Sequence, residues 1–182
     1  MSTASEQAGN RQCGACTVCC TVLPIESREL RKLPGAPCRH LEGAGCSIYG
    51  TRYSICRTYE CGWRVLNTLD DGWRPDQSGV LITPLHADLP PGYREGLEFL
   101  IVTGEDAIRA PAFAPLLADA IGRGTAVFFA VPGPPGHYSA RLFLNGMLAG
   151  AVAREDLPAI RETLIKILHS AAGHAFEKML EA

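Results

Sequence analysis

Eight cysteines are crowded into the first third of this sequence, and they constrain the fold more than any other feature. All of them lie between Cys13 and Cys61, and the rest of the 182-residue chain has none. The densest stretch, CGACTVCC, ends in the adjacent pair Cys19 and Cys20. In a small secreted chain this density would predict disulfides, whereas in a reducing compartment it predicts bound metal.

The composition places the chain among ordinary globular proteins. Hydrophobic residues make up 47% and charged residues 20% of the sequence, and 17 basic residues face 19 acidic ones. This near-neutral balance argues against a general nucleic-acid binder. No run of about 18 apolar residues predicts a transmembrane helix. Residues 1–12 are polar and lack the apolar segment of a secretory signal, so we predict a disordered lead-in and a cytoplasmic protein with reduced thiols.

The segment 13–64 is rich in glycine and proline and reads as loops. One helix is predicted from Pro24 to Leu33, because proline opens it, acids come early and basic residues come late. Apolar positions are too few here for an independent hydrophobic core. A segment of this kind is usually held together by metal or cross-links.

The segment 65–182 has the pattern of an α+β fold. A hairpin turn is predicted at Asn145-Gly146, and Asp156 is predicted to cap a long C-terminal helix. Apolar runs predict strands at 79–85, 96–103 and 125–133. Helical periodicity predicts one further helix at 111–124. The sequence therefore predicts a cysteine-dense metal-binding module, 13–64, packed on a small, mostly antiparallel sheet with helices.

The spacing of the cysteines favours metal binding over isolated thiols. In Cys13-x2-Cys16-x2-Cys19, two intervening residues let one tight turn direct two sulfurs at one ion, as in zinc knuckles and iron–sulfur loops. A buried free thiol is the alternative for each cysteine taken singly. All eight are predicted metal ligands: Cys13, Cys16, Cys19, Cys20, Cys38, Cys46, Cys56 and Cys61.

The adjacent pair Cys19 and Cys20 is predicted to branch, either between two sites or between a site and the core. Neighbouring side chains point in different directions, so one ion would not easily take both. Eight thiols match two four-thiolate zinc sites in number. They also match one iron–sulfur cluster with a second site, or one cluster with spare cysteines. The spacing of Cys13, Cys16 and Cys19 is that of the first three cysteines of a bacterial ferredoxin loop.

The other polar residues are less specific indicators of metal binding than the cysteines. Seven Lys or Arg against four Asp or Glu between residues 13 and 64 give a local excess of positive charge that suits thiolate sites. His40 is interpreted as a surface residue, with metal ligation as the alternative. Asp76, like the acids just before it, is interpreted as a loop or capping residue, with a position in the lining of a site as the alternative.

The cysteine pattern resembles a known family. CGACTVCC followed by CRHLEGAGCSIYGTRYSICRTYEC is similar to the CxxCxxCC family, the YkgJ-like zinc- or iron-chelating domain proteins. The resemblance covers 13–64 and rests on the doubled cysteine, Cys38 with Leu41, the CSIY tetrapeptide and Cys56-Arg57 to Cys61. One departure is Tyr53 where the family usually has proline after arginine. The resemblance implies chelation of zinc or iron by these cysteines and assigns no reaction.

The sequence offers no recognised catalytic motif for phosphate, nucleotide, hydrolase or metalloprotease chemistry. A non-catalytic metal-binding protein is therefore the first hypothesis, with zinc ahead of iron. An iron–sulfur protein, acting as a redox carrier or as the cluster-bearing part of an enzyme, is the alternative. Flagellin lysine methylases carry a similar cysteine cluster, so such a module can sit within an enzyme. Delivery of metal to an unidentified protein partner is a third, weaker hypothesis.

Overall fold

The computed structural model describes residues 11–171, 173 and 175–180. Residues 1–10 of the predicted lead-in lie outside the described residues. Arg11, which belongs to the same predicted lead-in, donates hydrogen bonds to the carbonyl oxygens of Trp63 and Leu69, at 2.6 Å each. Residues before Cys13 therefore already contact the rest of the chain.

The chain alternates short elements in its first part with longer ones in its second part. The helices are α1 (Val18–Val22), α2 (Ser54–Thr58), α3 (Gly62–Val65), α4 (Pro75–Ser78), α5 (Glu105–Arg109), α6 (Phe113–Gly122), α7 (Asn145–Ala153) and α8 (Leu157–Ala171). The strands are β1 (Ile25–Glu26), β2 (Arg31–Lys32), β3 (Leu41–Glu42), β4 (Gly45–Cys46), β5 (Val80–Leu85), β6 (Gly96–Ile101), β7 (Ala126–Val131) and β8 (Ala140–Phe143). Single 3-10 turns lie at Tyr49–Thr51 and Asp71–Trp73.

The second part is built on a four-stranded sheet in the order β5-β6-β7-β8. β5 with β6 and β7 with β8 are antiparallel, and β6 with β7 are parallel. The parallel pair needs a crossover, which α5 and α6 supply. The predicted α+β class with a mostly antiparallel sheet is confirmed.

Helices cover one face of this sheet. Alternate strand residues point to that face, because side chains along a strand alternate between the two faces of a sheet. Phe99 on β6 meets Phe113 on α6 edge to face, with ring centroids 5.9 Å apart. The other members of this core include Val80, Ile82, Ile101, Val127, Phe129, Ile108, Leu117, Leu148, Ile160 and Leu164.

The cysteine-rich segment covers part of the opposite face. Leu81, Leu100 and Ala130 point to that face and form a second apolar cluster with Cys61 and Trp63. Cys19 and its helix neighbours pack against the same cluster. The segment 13–64, called the cysteine module below, is therefore packed on the sheet as the sequence predicted.

The predicted helix from Pro24 to Leu33 is wrong. This stretch folds back as the antiparallel pair β1 and β2, with Ile25 opposite Lys32. Ser27 closes the turn, because its Oγ accepts from the backbone amide of Leu30 at 3.0 Å and its own amide donates to the Leu30 carbonyl. The charge pattern suits a helix, but no apolar stripe stabilises one, and in the hairpin Lys32 Nζ donates to the Thr21, Leu33 and Ala36 carbonyls.

The predicted hairpin turn at Asn145-Gly146 is also wrong, because α7 begins there. Asn145 is buried, and its side chain donates to the Thr125 carbonyl and accepts from the Val127 amide, both at 2.8 Å. These two bonds tie the first residue of α7 to the beginning of β7. The asparagine therefore serves a long-range contact rather than a local turn.

The other element predictions of the second part are confirmed. The strands β5, β6 and β7 and the helix α6 lie within the predicted ranges. Asp156 precedes α8, and its side chain accepts a hydrogen bond from the Ala159 amide at 3.0 Å. Among the described residues, none of the helices is both long and apolar enough to cross a membrane.

A glycine allows the module to approach the sheet, and we predict that filling its space separates them. A Cβ on Gly62 would lie 2.8 Å from Ile82 Cγ2 and 2.9 Å from the Ile82 carbonyl. Gly62→Ala should therefore lower the free energy of unfolding by about 1–3 kcal/mol through overpacking. Thermal and denaturant unfolding measure this loss.

Gly50→Ala is the matched control, because a Cβ there meets no atom within 4 Å. It should change the free energy of unfolding by about 0.5 kcal/mol or less. Equal stability of the two variants would contradict the close packing of Gly62 on Ile82.

Candidate metal centre

One cavity of about 520 Å³ brings the cysteines together. All eight are free thiols; Cys61 is buried and the others are half-buried. They reach the cavity from separate parts of the chain. The cavity lining includes every predicted ligand: Cys13, Cys16, Cys19, Cys20, Cys38, Cys46, Cys56 and Cys61.

Four of these thiols gather near the start of α3, and they are called the first set: Cys13, Cys16, Cys19 and Cys61. Arg64 Nε donates to the Arg11 carbonyl at 2.9 Å, which ties the chain before Cys13 to the chain after Cys61. Burial raises the pKa of Cys61, and the neighbouring thiols of Cys16 and Cys13 also raise it. The thiols of this set are thus electrostatic neighbours although up to 48 residues separate them in the sequence.

The remaining four thiols gather beside β2 and β4, and they are called the second set: Cys20, Cys38, Cys46 and Cys56. The Cys38 amide donates to the Cys20 carbonyl at 2.9 Å. The short pair β3 and β4 then returns the chain, so that Cys46 stands opposite Leu41. Burial raises the pKa of Cys56, and the thiols of Cys20, Cys38 and Cys46 raise it further.

The doubled cysteine lies where the two sets adjoin. Cys19 and Cys20 are consecutive on α1, so their side chains leave the helix axis about 100° apart. A hydrogen bond with Cys20, burial, and the thiols of Cys13 and Cys61 raise the pKa of Cys19. The same hydrogen bond lowers the pKa of Cys20, and the charges of Lys32 and Arg52 lower it further. The pair therefore faces different neighbours while remaining in contact.

Backbone amides act on two thiols of the first set. Burial raises the pKa of Cys16, while the amides of Val18 and Asp76 lower it. Cys61 precedes α3, and the amides of Arg64 and Trp63 lower its pKa against the effect of burial. Amide donors aimed at sulfur are the arrangement that stabilises thiolate ligands.

Trp63 contributes a polar atom without a partner. Its Nε1 is buried and forms no hydrogen bond within the described residues, and the side chain lines the cavity. A buried donor without an acceptor is unfavourable. An acceptor bound in the cavity would satisfy this donor.

Asp76 lies closer to the cysteines than its sequence interpretation implied. Arg74 holds its carboxylate through two hydrogen bonds of 2.6 and 2.9 Å, and the carboxylate contributes to raising the pKa of Cys16. Asp76 belongs to α4, in the second part of the chain. The proximity of Asp76 to Cys16 depends on how the module docks, so spacing alone gave no signal for it.

His40 lies at the cavity wall, half-buried, and its ring contacts the Tyr53 ring with centroids 5.6 Å apart. Two histidines of the second part contact carboxylates instead, His86 Nε2 with Glu60 and His169 Nε2 with Glu105. His174, a further histidine of the sequence, lies outside the described residues.

The thiols surround the cavity without closing on one point. Among the residues that the structure describes, no three His, Cys, Asp or Glu side chains converge closely enough to hold a metal ion. Comparison with protein-family models, curated proteins and solved structures gives no match to this chain. The resemblance to the CxxCxxCC family therefore rests on the quoted cysteine motifs alone.

The two sets predict that single substitutions in the doubled cysteine act differently. Cys19→Ser should reduce the metal content of the first set, and Cys20→Ser that of the second. Combining Cys19→Ser with Cys61→Ser should remove little further metal, whereas combining it with Cys38→Ser should add the two losses. Elemental analysis of anaerobically purified protein measures these changes.

Thr21→Ala is a control on the same helix, because its side chain bonds to the Thr17 carbonyl rather than facing the cavity. Its metal content should equal that of the unmodified chain. If Cys19→Ser and Cys20→Ser lost the same metal, the division into two sets would be wrong.

Proposed function

We propose that this protein binds metal, chelating zinc or iron through its eight cysteines. The observation that carries the proposal is the single cavity that all eight thiols line, although they come from distant positions in the sequence. Free thiols scattered by chance through a core would have no reason to share one cavity. Amide donors beside Cys16 and Cys61 support thiolate ligation as well.

Zinc is the first candidate metal. Structural zinc sites are closed by four protein ligands, and thiolates are common among them. Eight thiols in two sets of four supply enough ligands for two such sites. The thiols would have to draw together around each ion, because a Zn–S bond is only about 2.3 Å long.

An iron–sulfur cluster is the second candidate, and the wide spread of the thiols around the cavity supports it. A cluster spreads its thiolate ligands more widely than one ion does, because they bind different irons. The spacing Cys13-x2-Cys16-x2-Cys19 agrees with the opening of a ferredoxin loop. The protein would then be a redox carrier or the cluster-bearing part of an enzyme.

The resemblance to the CxxCxxCC family supports both candidates, since that family is associated with chelation of zinc or iron. The eight free thiols would suit a reducing compartment such as the cytoplasm. The near-neutral charge gives no support to a nucleic-acid partner. A metal ion is thus the partner that this proposal requires.

Anaerobic purification tests the proposal and separates its two forms. Elemental analysis, an absorption spectrum and an assay for acid-labile sulfide are made on the same sample. Colourless protein with stoichiometric zinc would support zinc sites, and brown protein with iron and sulfide would support clusters. Protein that binds neither metal, even after reconstitution with zinc or with iron and sulfide, would contradict the proposal.

Removal of metal is predicted to unfold the cysteine module while the sheet remains folded. The module has few buried apolar residues, whereas the core between the sheet and its helices is extensive. Structural metal sites contribute their binding energy to folding, so a chelator should remove that contribution. Hydrogen exchange should then show lost protection in residues 13–64 and retained protection in β6 and β7.

Retained protection throughout the module after complete removal of metal would contradict this prediction. Adding back the metal found in the purified protein is the control, and it should restore protection in the module.

A further inference from the structure

Lys32 is a buried cation beside the second set. It lies on β2, and only 6% of its surface is exposed. Its Nζ donates to three backbone carbonyl oxygens, those of Thr21 at 2.8 Å, Leu33 at 3.0 Å and Ala36 at 2.6 Å. An ammonium group has three donors, and here each donor has an acceptor. The geometry is therefore that of a protonated lysine.

No carboxylate neutralises this charge within the described part of the chain. The ion pairs found there involve other residues. A buried charge is unfavourable unless an opposite charge accompanies it. The carbonyl oxygens satisfy the hydrogen bonds of Lys32 but supply no net negative charge.

Lys32 Nζ reaches the carbonyl of Thr21, the residue after Cys20. Its charge interacts with the thiols of Cys38, Cys20 and Cys19, in that order of strength. The two stronger partners belong to the second set, and the bond between the Cys38 amide and the Cys20 carbonyl holds them side by side. Cys19 is the member of the first set that Lys32 also affects.

The first set differs, because the carboxylate of Asp76 lies beside Cys16. That carboxylate is paired with Arg74, whereas Lys32 beside the second set has no carboxylate partner within the described residues.

We propose that Lys32 is the fixed counter-charge of the second set and strengthens binding of a net-negative metal–thiolate centre there. This inference rests on the proposed metal-binding function. Four thiolates around Zn²⁺ carry a net charge near −2, and thiolate-bound iron–sulfur clusters are also anionic. Lys32 would offset part of that charge, and the centre would supply the negative charge that the buried lysine lacks.

Two backgrounds isolate the sets for a test. Cys16→Ser with Cys61→Ser leaves the second set, and Cys38→Ser with Cys46→Ser leaves the first. The reduced full-length proteins are titrated anaerobically with Co²⁺, read by thiolate-to-cobalt absorption, or with Fe²⁺ and sulfide, read by cluster absorption. Whichever reagent the unmodified chain takes up is used for every variant.

Lys32→Gln should weaken binding by the second set about 10- to 100-fold. It should weaken the first set much less, because Cys19 is the weakest of the three thiols that interact with Lys32. Lys32→Arg should restore most of the affinity, because it keeps the charge. Arg31→Gln is the matched control, since Arg31 is the exposed neighbour of Lys32 on β2 and should leave both sets unchanged. If the centre is a cluster, Lys32→Gln should also make its reduction potential more negative.

The outcomes separate this inference from the proposed function. Unchanged binding in Lys32→Gln, or equal weakening of both sets, would overturn the role of Lys32 alone. A Lys32→Gln chain that circular dichroism shows to be unfolded with and without metal would also overturn it. The role of Lys32 would then be to stabilise the fold through its three hydrogen bonds to carbonyl oxygens. Failure of the unmodified chain to bind either reagent would overturn the proposed function together with this inference.

Discussion

The packing of α3 on the sheet is the contact on which the cysteine module depends. Cys61 and Trp63 lie against Leu81 and Leu100, and Gly62 between them lets the backbone approach Ile82. The module has too few apolar residues to form its own core, so the face of the sheet supplies one. This contact also fixes Cys61, the last cysteine of the sequence, beside the first ones, because Arg11 and Arg64 join the two chain segments.

The doubled cysteine shows how local geometry and tertiary packing combine. A helix directs consecutive side chains about 100° apart, so α1 can present Cys19 and Cys20 to different surroundings. Cys19 faces the apolar contact with Cys61, and Cys20 faces the charges of Lys32 and Arg52. One short helix thereby belongs to both sets. The buried charge of Lys32 beside the second set gives a physical reason why two groups of chemically identical ligands would differ in metal affinity.

The sequence predicted the second part of the chain well, because its elements are long and periodic. The apolar run of β7 and the Asp156 cap of α8 predict the same elements that the structure contains. Predictions failed where a polar side chain serves a distant partner. Asn145 bonds to the Thr125 carbonyl 20 residues away, and Lys32 reaches the Thr21 carbonyl beyond β1. Such contacts compete with the local preferences that predicted a hairpin and a helix.

By itself, the sequence determined the number and kind of candidate ligands, because thiols crowded at short spacing are typical of metal sites. It also determined the α+β class, since periodic apolar residues must be buried. Only the tertiary structure decided how the eight cysteines divide, because the grouping joins residues from both ends of the module. The same holds for the buried charge of Lys32 and the approach of Asp76 to Cys16, which depend on chain segments that meet only after folding.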